Sequence, residues 1–114
     1  MKKIGFIGFG NMAGAIAQGI IQSGFLKPYD CIGYDIDIKM IQKMNMMGIE
    51  TARDIAQIIN QSAFVFVGVK PQVVESILIP YKEQLKEKVL ISIVLGYDFE
   101  KYQQLLDDST RHIF

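Results

Sequence analysis

The sequence KKIGFIGFGNMA at residues 2–13 joins an apolar run to a glycine-rich turn. The run predicts a short buried β-strand over Lys2–Ile7, and the polar and small residues that follow predict a helix over Asn11–Ser23. The turn between these two elements carries a GxGxxA motif, which consists of Gly8, Gly10 and Ala13. A strand that passes directly into such a motif and then into a helix is typical of a nucleotide-binding βαβ unit.

Each small residue of the motif has its own predicted role. Gly8 permits the tight turn, Gly10 lets a pyrophosphate approach the backbone, and Ala13 allows the helix to pack closely on the strand. Free N–H groups and a partial positive charge at the helix N-terminus would attract the phosphates. The alternative is a glycine-rich turn that only packs tightly. The context of strand and helix favours dinucleotide binding.

The rest of the chain alternates strands with helices. Further strands are expected over 29–35, 49–51, 63–69 and 89–95 and from 111 onward, and further helices over 36–47 and 52–60, from 71, and after a cap at Asp98. This alternation predicts an α/β fold, namely a Rossmann-type, doubly wound, mainly parallel sheet with helices on both faces.

Apolar spacing in the predicted helices indicates which side chains face the sheet. We expect Pro80 to kink or end the fourth helix, because proline interrupts helical hydrogen bonding. The predicted inward residues are Ile38, Ile41 and Met44 or Met47 on the second helix, Ile55, Ile58 and Ile59 on the third, and Val74, Ile77, Leu78 and Tyr81 on the fourth.

The composition is typical of one folded domain. The chain has 114 residues, of which 50% are hydrophobic, and this is enough for a single core. Lys plus Arg and Asp plus Glu each number 12, so the balance argues against nucleic acid or an anionic membrane surface as the main partner. Glycines interrupt the uncharged stretch 4–26 too often for a membrane span.

The single cysteine, Cys31, excludes an internal disulfide and a cysteine-based metal site. It favours a reducing compartment, so we expect a cytoplasmic protein. In mid-strand it is expected to be a small core residue. No pattern of His, Asp or Glu suggests a metal site, and the sequence assigns no catalytic residue.

Asp35 lies at the end of the second predicted strand, 25 residues after Gly10. A carboxylate at this place can accept hydrogen bonds from an adenosine ribose, and it would repel the 2′-phosphate of NADP. It therefore favours NADH over NADPH. The alternative is that Asp35 or Asp37 caps the helix that follows, and both interpretations stay open.

Two more segments lie where ligands bind in open α/β sheets, beyond the carboxyl ends of strands. They are VKPQ at residues 69–72 and SIVLG at residues 92–96. Together with MKKIGFIGFGNMAGAIAQGIIQSG at residues 1–24, they resemble the N-terminal domain of pyrroline-5-carboxylate reductase, and the resemblance covers the whole chain. It implies an NAD(P)H-dependent oxidoreductase that passes a hydride to the C=N carbon of 1-pyrroline-5-carboxylate and forms L-proline.

The resemblance also implies the cofactor-binding residues. The turn would wrap the pyrophosphate, the segment that begins at Val69 would border the nicotinamide half, and two residues of the segment 92–96 would lie beside the nicotinamide. In that order the residues are Gly8, Phe9, Gly10, Asn11, Met12 and Ala13; Val69, Lys70 and Pro71; and Ile93 and Leu95.

This sequence departs from the family's pattern at two places. Many members have Ser, Thr or a small residue where Asp35 stands, which tolerates NADPH. Many also have two alanines where Val94 and Leu95 stand, so the nicotinamide pocket would be narrower.

The resemblance further implies a helical C-terminal domain that supplies dimerisation and most of the substrate pocket. We therefore expect residues 1–114 to be a single NAD(P)-binding domain, a fragment of a longer two-domain enzyme, inactive alone and homo-oligomeric at full length. The alternatives are a related imine or hydroxyacid reductase, and a non-catalytic dinucleotide-binding module. The larger Val94 and Leu95 favour the non-catalytic module.

Overall fold

The computed structural model describes residues 1–92, 99–106 and 109–113. Six strands in these ranges form one sheet in the order β3-β2-β1-β4-β5-β6, and every pairing is parallel. This is the strand order of the doubly wound fold, so the predicted fold class is confirmed. The strands are β1 (Lys2–Ile7), β2 (Cys31–Tyr34), β3 (Glu50–Thr51), β4 (Ser62–Val67), β5 (Val89–Ser92) and β6 (Arg111–Ile113).

Helices connect the strands wherever the alternating pattern predicts them. Pro80 lies in a short 3₁₀ turn, Ile79–Tyr81, that ends the fourth helix as expected, and Pro71 opens a similar turn before it. Asp98, the predicted cap, lies outside the described residues. The helices are α1 (Asn11–Gln22), α2 (Ile38–Met46), α3 (Ile55–Gln61), α4 (Val74–Leu78) and α5 (Phe99–Leu105).

The core has two layers, one on each face of the sheet. Ala17 of α1 and Met44 of α2 pack with Phe6 and Phe66 on one face. On the other face, α3 and α4 pack against strand residues that alternate with the first set, and this cluster includes Ile58, Ile59, Val65, Val67, Val74 and Leu78. Each face therefore buries its own apolar cluster, as a parallel sheet with helices on both sides requires.

The predicted inward faces are correct except at the start of α2. Met44 is fully buried, but Ile38 is 63% exposed. The helix begins later than predicted, because the carboxylate of Asp37 caps it by accepting a hydrogen bond from the Lys39 N–H at 2.9 Å. Ile38 therefore lies in the first turn, past the end of β2, where no strand supports it. Met46 of the same helix is 88% exposed.

None of the described helices is long and apolar enough to cross a membrane. Within the described ranges, no group of three or more His, Cys, Asp or Glu side chains is arranged to hold a metal ion.

Candidate functional site

The turn after β1 has the tight form that its glycines predict. Gly8 has a φ of +88°, a conformation that residues with a side chain rarely adopt. An added Cβ would also lie 3.1 Å from the backbone carbonyl of Gly68. The Gly8 N–H donates to the carbonyl of Tyr34 at 2.9 Å. Backbone conformation and the close approach of the next turn both require glycine at this position.

Gly10 differs from Gly8 in both respects. Its φ of −73° and ψ of −167° are open to any residue, and an added Cβ would meet nothing within 4 Å. Gly10 stands at the N-cap of α1, and no side chain caps the free N–H groups of the first turn from this position. No described part of the chain explains the missing side chain, whereas a ligand in that space would.

The remaining residues of the motif divide into buried and exposed ones. Ala13 is 2% exposed and packs close to Gly68, as its predicted role in helix packing requires. Asn11 and Met12 are exposed at the start of α1. The Phe9 side chain is fully buried, with its ring edge-on to that of Phe6 at a centroid distance of 5.4 Å. Phe9 thus anchors the turn in the core, and its ring faces away from the open space.

Asp35 lies where the sequence predicts, at the end of β2, and its carboxylate already has two partners. One oxygen, Oδ2, accepts a hydrogen bond from the Phe9 N–H at 2.8 Å. The other, Oδ1, accepts one from the Asp37 N–H at 2.9 Å. The helix cap itself is Asp37, so the capping interpretation applies to that residue, and the ribose contact of Asp35 stays a prediction. The bond from the glycine-rich turn to Asp35 was not predicted.

A cavity of about 540 Å³ opens at the carboxyl ends of β1, β2 and β4. It brings together five of the predicted site residues: Gly8, Gly10, Asp35, Val69 and Lys70. Five other predicted site residues do not line it, namely Phe9, Asn11, Met12, Ala13 and Pro71. Two more, Ile93 and Leu95, lie outside the described residues.

The other walls of this cavity were not predicted from the sequence. Ile36 is 88% exposed at its edge, directly after Asp35. Val73, Ser76 and Ile77 line the opposite wall from α4 and the turn before it. The spacing of three and four residues between them was a usable signal, because it places side chains on one face of a helix.

The walls of the cavity are largely apolar, and its two charged side chains belong to different turns. Asp35 contributes a half-buried carboxylate beside the turn after β1, and Lys70 an exposed ammonium group in the turn after β4. A ligand with an anionic centre, hydroxyl groups and flat apolar ends would match this arrangement of N–H donors, acceptor and apolar walls.

Cys31 plays no part in this cavity. It is 1% exposed in β2, and burial raises the pKa of its thiol to about 11, with a smaller contribution from the negative charge of Asp30 and an opposing one from Lys2. The thiol therefore stays protonated at neutral pH and acts as a small core residue, as predicted.

Strand order, glycine-rich turn and cavity together define a Rossmann-type α/β domain. The chain belongs to the family described as NADP oxidoreductase, coenzyme F420-dependent, which matches residues 3–96. It is also 34% identical over 112 residues to a pyrroline-5-carboxylate reductase of Methanosarcina acetivorans, an alignment that covers 96% of this chain and 42% of that protein. This similarity confirms the resemblance drawn from the sequence.

Solved structures share the fold. The chain matches a pyrroline-5-carboxylate reductase from Coxiella burnetii with a TM-score of 0.89 at 24% identity, over 97% of this chain and 42% of that one. It matches a Plasmodium falciparum pyrroline carboxylate reductase with NADP bound with a TM-score of 0.84 at 24% identity, over 97% and 40% of the two chains. The chain thus spans about two fifths of the length of these relatives.

Proposed function

We propose that the chain is the NAD(P)H-binding domain of an oxidoreductase that reduces 1-pyrroline-5-carboxylate to L-proline. The dinucleotide, when bound, supplies the hydride, and the protein supplies binding, orientation and electrostatics. The family and the similarity to pyrroline-5-carboxylate reductases support this assignment. The parts of the relatives beyond the matched length would supply the substrate pocket and a homo-oligomer interface, in a cytoplasmic enzyme.

Gly10 carries the proposal. Its conformation does not need glycine, and a side chain there would project into open space in front of the α1 N-terminus. A pyrophosphate that receives the free N–H groups of α1 would occupy this space and exclude a side chain. The residues present therefore fit a dinucleotide.

The other cavity residues have roles that follow from their chemistry. The Asp35 carboxylate would accept a hydrogen bond from a ribose hydroxyl, since each of its oxygens has a further lone pair. Ile36 on one side and Val73 and Ile77 on the other would contact the flat faces of the adenosine. Val69 and Lys70 would border the nicotinamide half, as the family resemblance implies.

Asp35 favours NADH over NADPH in this proposal. Its negative charge would repel a 2′-phosphate, and the nearest cation in sequence, Lys39, lies four residues further on, in the first turn of α2. Asp35→Ser should erase or reverse the preference. Such a preference would distinguish this chain from the Plasmodium falciparum relative, whose structure contains NADP.

Calorimetric titration of the chain with NADH and NADPH, at one fixed salt concentration, tests the proposal. We expect NADH to bind, NADPH to bind more weakly, and the 114 residues alone to form no proline. Binding of neither dinucleotide would contradict the assignment of the site to these residues. Tighter binding of NADPH than of NADH would contradict only the role of Asp35 in cofactor preference. Proline formation by the chain alone would contradict only the expectation that activity needs residues beyond these 114.

A further inference from the structure

The glycine-rich turn is attached to the end of β2 by two consecutive hydrogen bonds. The Gly8 N–H donates to the Tyr34 carbonyl at 2.9 Å, and the Phe9 N–H donates to the Asp35 carboxylate at 2.8 Å. The second bond connects residues 26 positions apart in sequence. Because its acceptor is ionised, it is of the stronger, charge-assisted kind.

The same carboxylate also fixes the chain on its other side. Its second oxygen accepts the Asp37 N–H at 2.9 Å, so the side chain is held between the turn after β1 and the start of α2. Phe9 is in turn anchored by its fully buried ring. The buried ring and the bonded N–H together leave Phe9 little freedom to rotate.

We infer that Asp35 is a positioning residue, whose carboxylate holds the glycine-rich turn in the shape that receives the pyrophosphate before any dinucleotide binds. The inference rests on the proposed function, and it adds a role separate from ribose contact and from repulsion of a 2′-phosphate. A glycine-rich turn that is already ordered in the free protein raises the affinity for the dinucleotide, because the dinucleotide binds only those molecules whose turn has the binding shape.

The two roles predict different effects of Asp35 substitutions on NADPH binding. If Asp35 acts only on the ribose and the 2′-phosphate, then Asp35→Ser and Asp35→Asn should both improve NADPH binding. If it also holds the turn, Asp35→Ser should still remove the preference for NADH but weaken the binding of both dinucleotides, because the serine hydroxyl is one bond shorter than a carboxylate and does not reach the Phe9 N–H. Asparagine keeps an oxygen for the Phe9 N–H and removes only the charge.

Amide hydrogen exchange measured by NMR tests the positioning role without any ligand. The Phe9 N–H should exchange at least about tenfold faster in Asp35→Ser than in the unchanged chain, and stay protected in Asp35→Asn. The Gly68 N–H, which donates to the Ile7 carbonyl at 2.9 Å, serves as the reference that should not change. Equal Phe9 exchange in all three proteins would overturn the inference.

Binding of 2′,3′-dideoxy-ADP separates the turn from the ribose contact, because this probe carries a diphosphate but no ribose hydroxyls. Asp35→Ser should bind it about tenfold more weakly than Asp35→Asn, although both variants lose the same charge. Equal affinities in these two variants would show that Asp35 acts on the ligand alone. Asp37→Ser is the matched control, since it removes a neighbouring charge, keeps a good helix cap and does not touch Phe9.

A further variant keeps the inference testable if Asp35→Ser does not fold. Asp35→Glu retains the charge but moves the acceptor by one CH₂ group, so Phe9 exchange should rise while NADPH still binds more weakly than NADH. Failure of the unchanged chain to bind any dinucleotide, with Phe9 exchange as expected, would count against the proposed function. Normal NADH binding with unchanged exchange in the glutamate variant would count against the positioning role.

Discussion

The turn after β1 and the turn after β4 face the same cavity, but different interactions fix them. The first is bonded to the neighbouring strand through Tyr34 and Asp35. In the second, Gly68 donates to Ile7, and the hydrogen bonds that follow are local, from the Val73 N–H to the Lys70 carbonyl and from the Ser76 hydroxyl to the Val73 carbonyl.

This difference suggests a division of work between the two turns. The turn after β1 presents backbone N–H groups from a position fixed by buried contacts. Such groups suit the pyrophosphate, which all dinucleotides share. The turn after β4 presents the side chains of Val69 and Lys70 from the irregular segment before Pro71, and that of Val73 from the 3₁₀ turn Pro71–Val73. We therefore expect the turn after β1 to contribute most of the affinity for the dinucleotide, and the turn after β4 to contribute a smaller part of it.

Gly8→Ala should have the largest effect, because it strains the fixed turn itself. A side chain at a φ of +88° costs about 1–3 kcal/mol, and the methyl group would press on the Gly68 backbone at 3.1 Å. Chemical denaturation should show this loss in the free energy of unfolding, accompanied by loss of dinucleotide binding. An unchanged unfolding midpoint would mean that the turn is less constrained than its contacts imply.

Gly10→Val should affect binding without affecting the fold. Extended backbone suits valine, and no atom lies within 4 Å of the added Cβ, so the free energy of unfolding should fall only by the cost of a poor N-cap residue, about 1 kcal/mol. The branched side chain would fill the space in front of α1, and NADH affinity should fall at least about tenfold. Calorimetry and denaturation on the same protein measure both quantities. A loss of stability larger than that of Gly8→Ala, or normal NADH binding, would remove the contrast with Gly8.

The fold could be predicted from the sequence because the spacing of apolar residues and the residue types found in turns are local signals. The run Lys2–Ile7, the motif that follows it and the alternation of later elements were enough to predict a parallel, doubly wound sheet. The same local signals predicted that Gly8 turns the chain and that Ala13 packs against its neighbours. These features depend on backbone sterics and side-chain size, which each residue carries with it.

The missed features depend on relations between distant parts of the chain. Sequence places Asp35 at the end of a strand but does not say whether its oxygens face a ligand or the Phe9 N–H. Nor does it say that the residue between the two glycines points into the core. Nor does it say that α4, which lies between the 3₁₀ turns at Pro71 and Pro80, brings Ser76 and Ile77 to the cavity.

Lys70→Gln should have the smallest effect, and it measures how little the turn after β4 contributes to affinity. Lys70 is exposed at the edge of the cavity, where solvent weakens its attraction for a phosphate. NADH affinity should fall about twofold to fivefold at low salt, and the difference should shrink as salt is added. Lys82→Gln is the control, since Lys82 is also exposed but does not line the cavity. If Lys70→Gln instead weakens binding as much as Gly10→Val, the two turns share the affinity, and a rigid backbone turn is not the main source of binding.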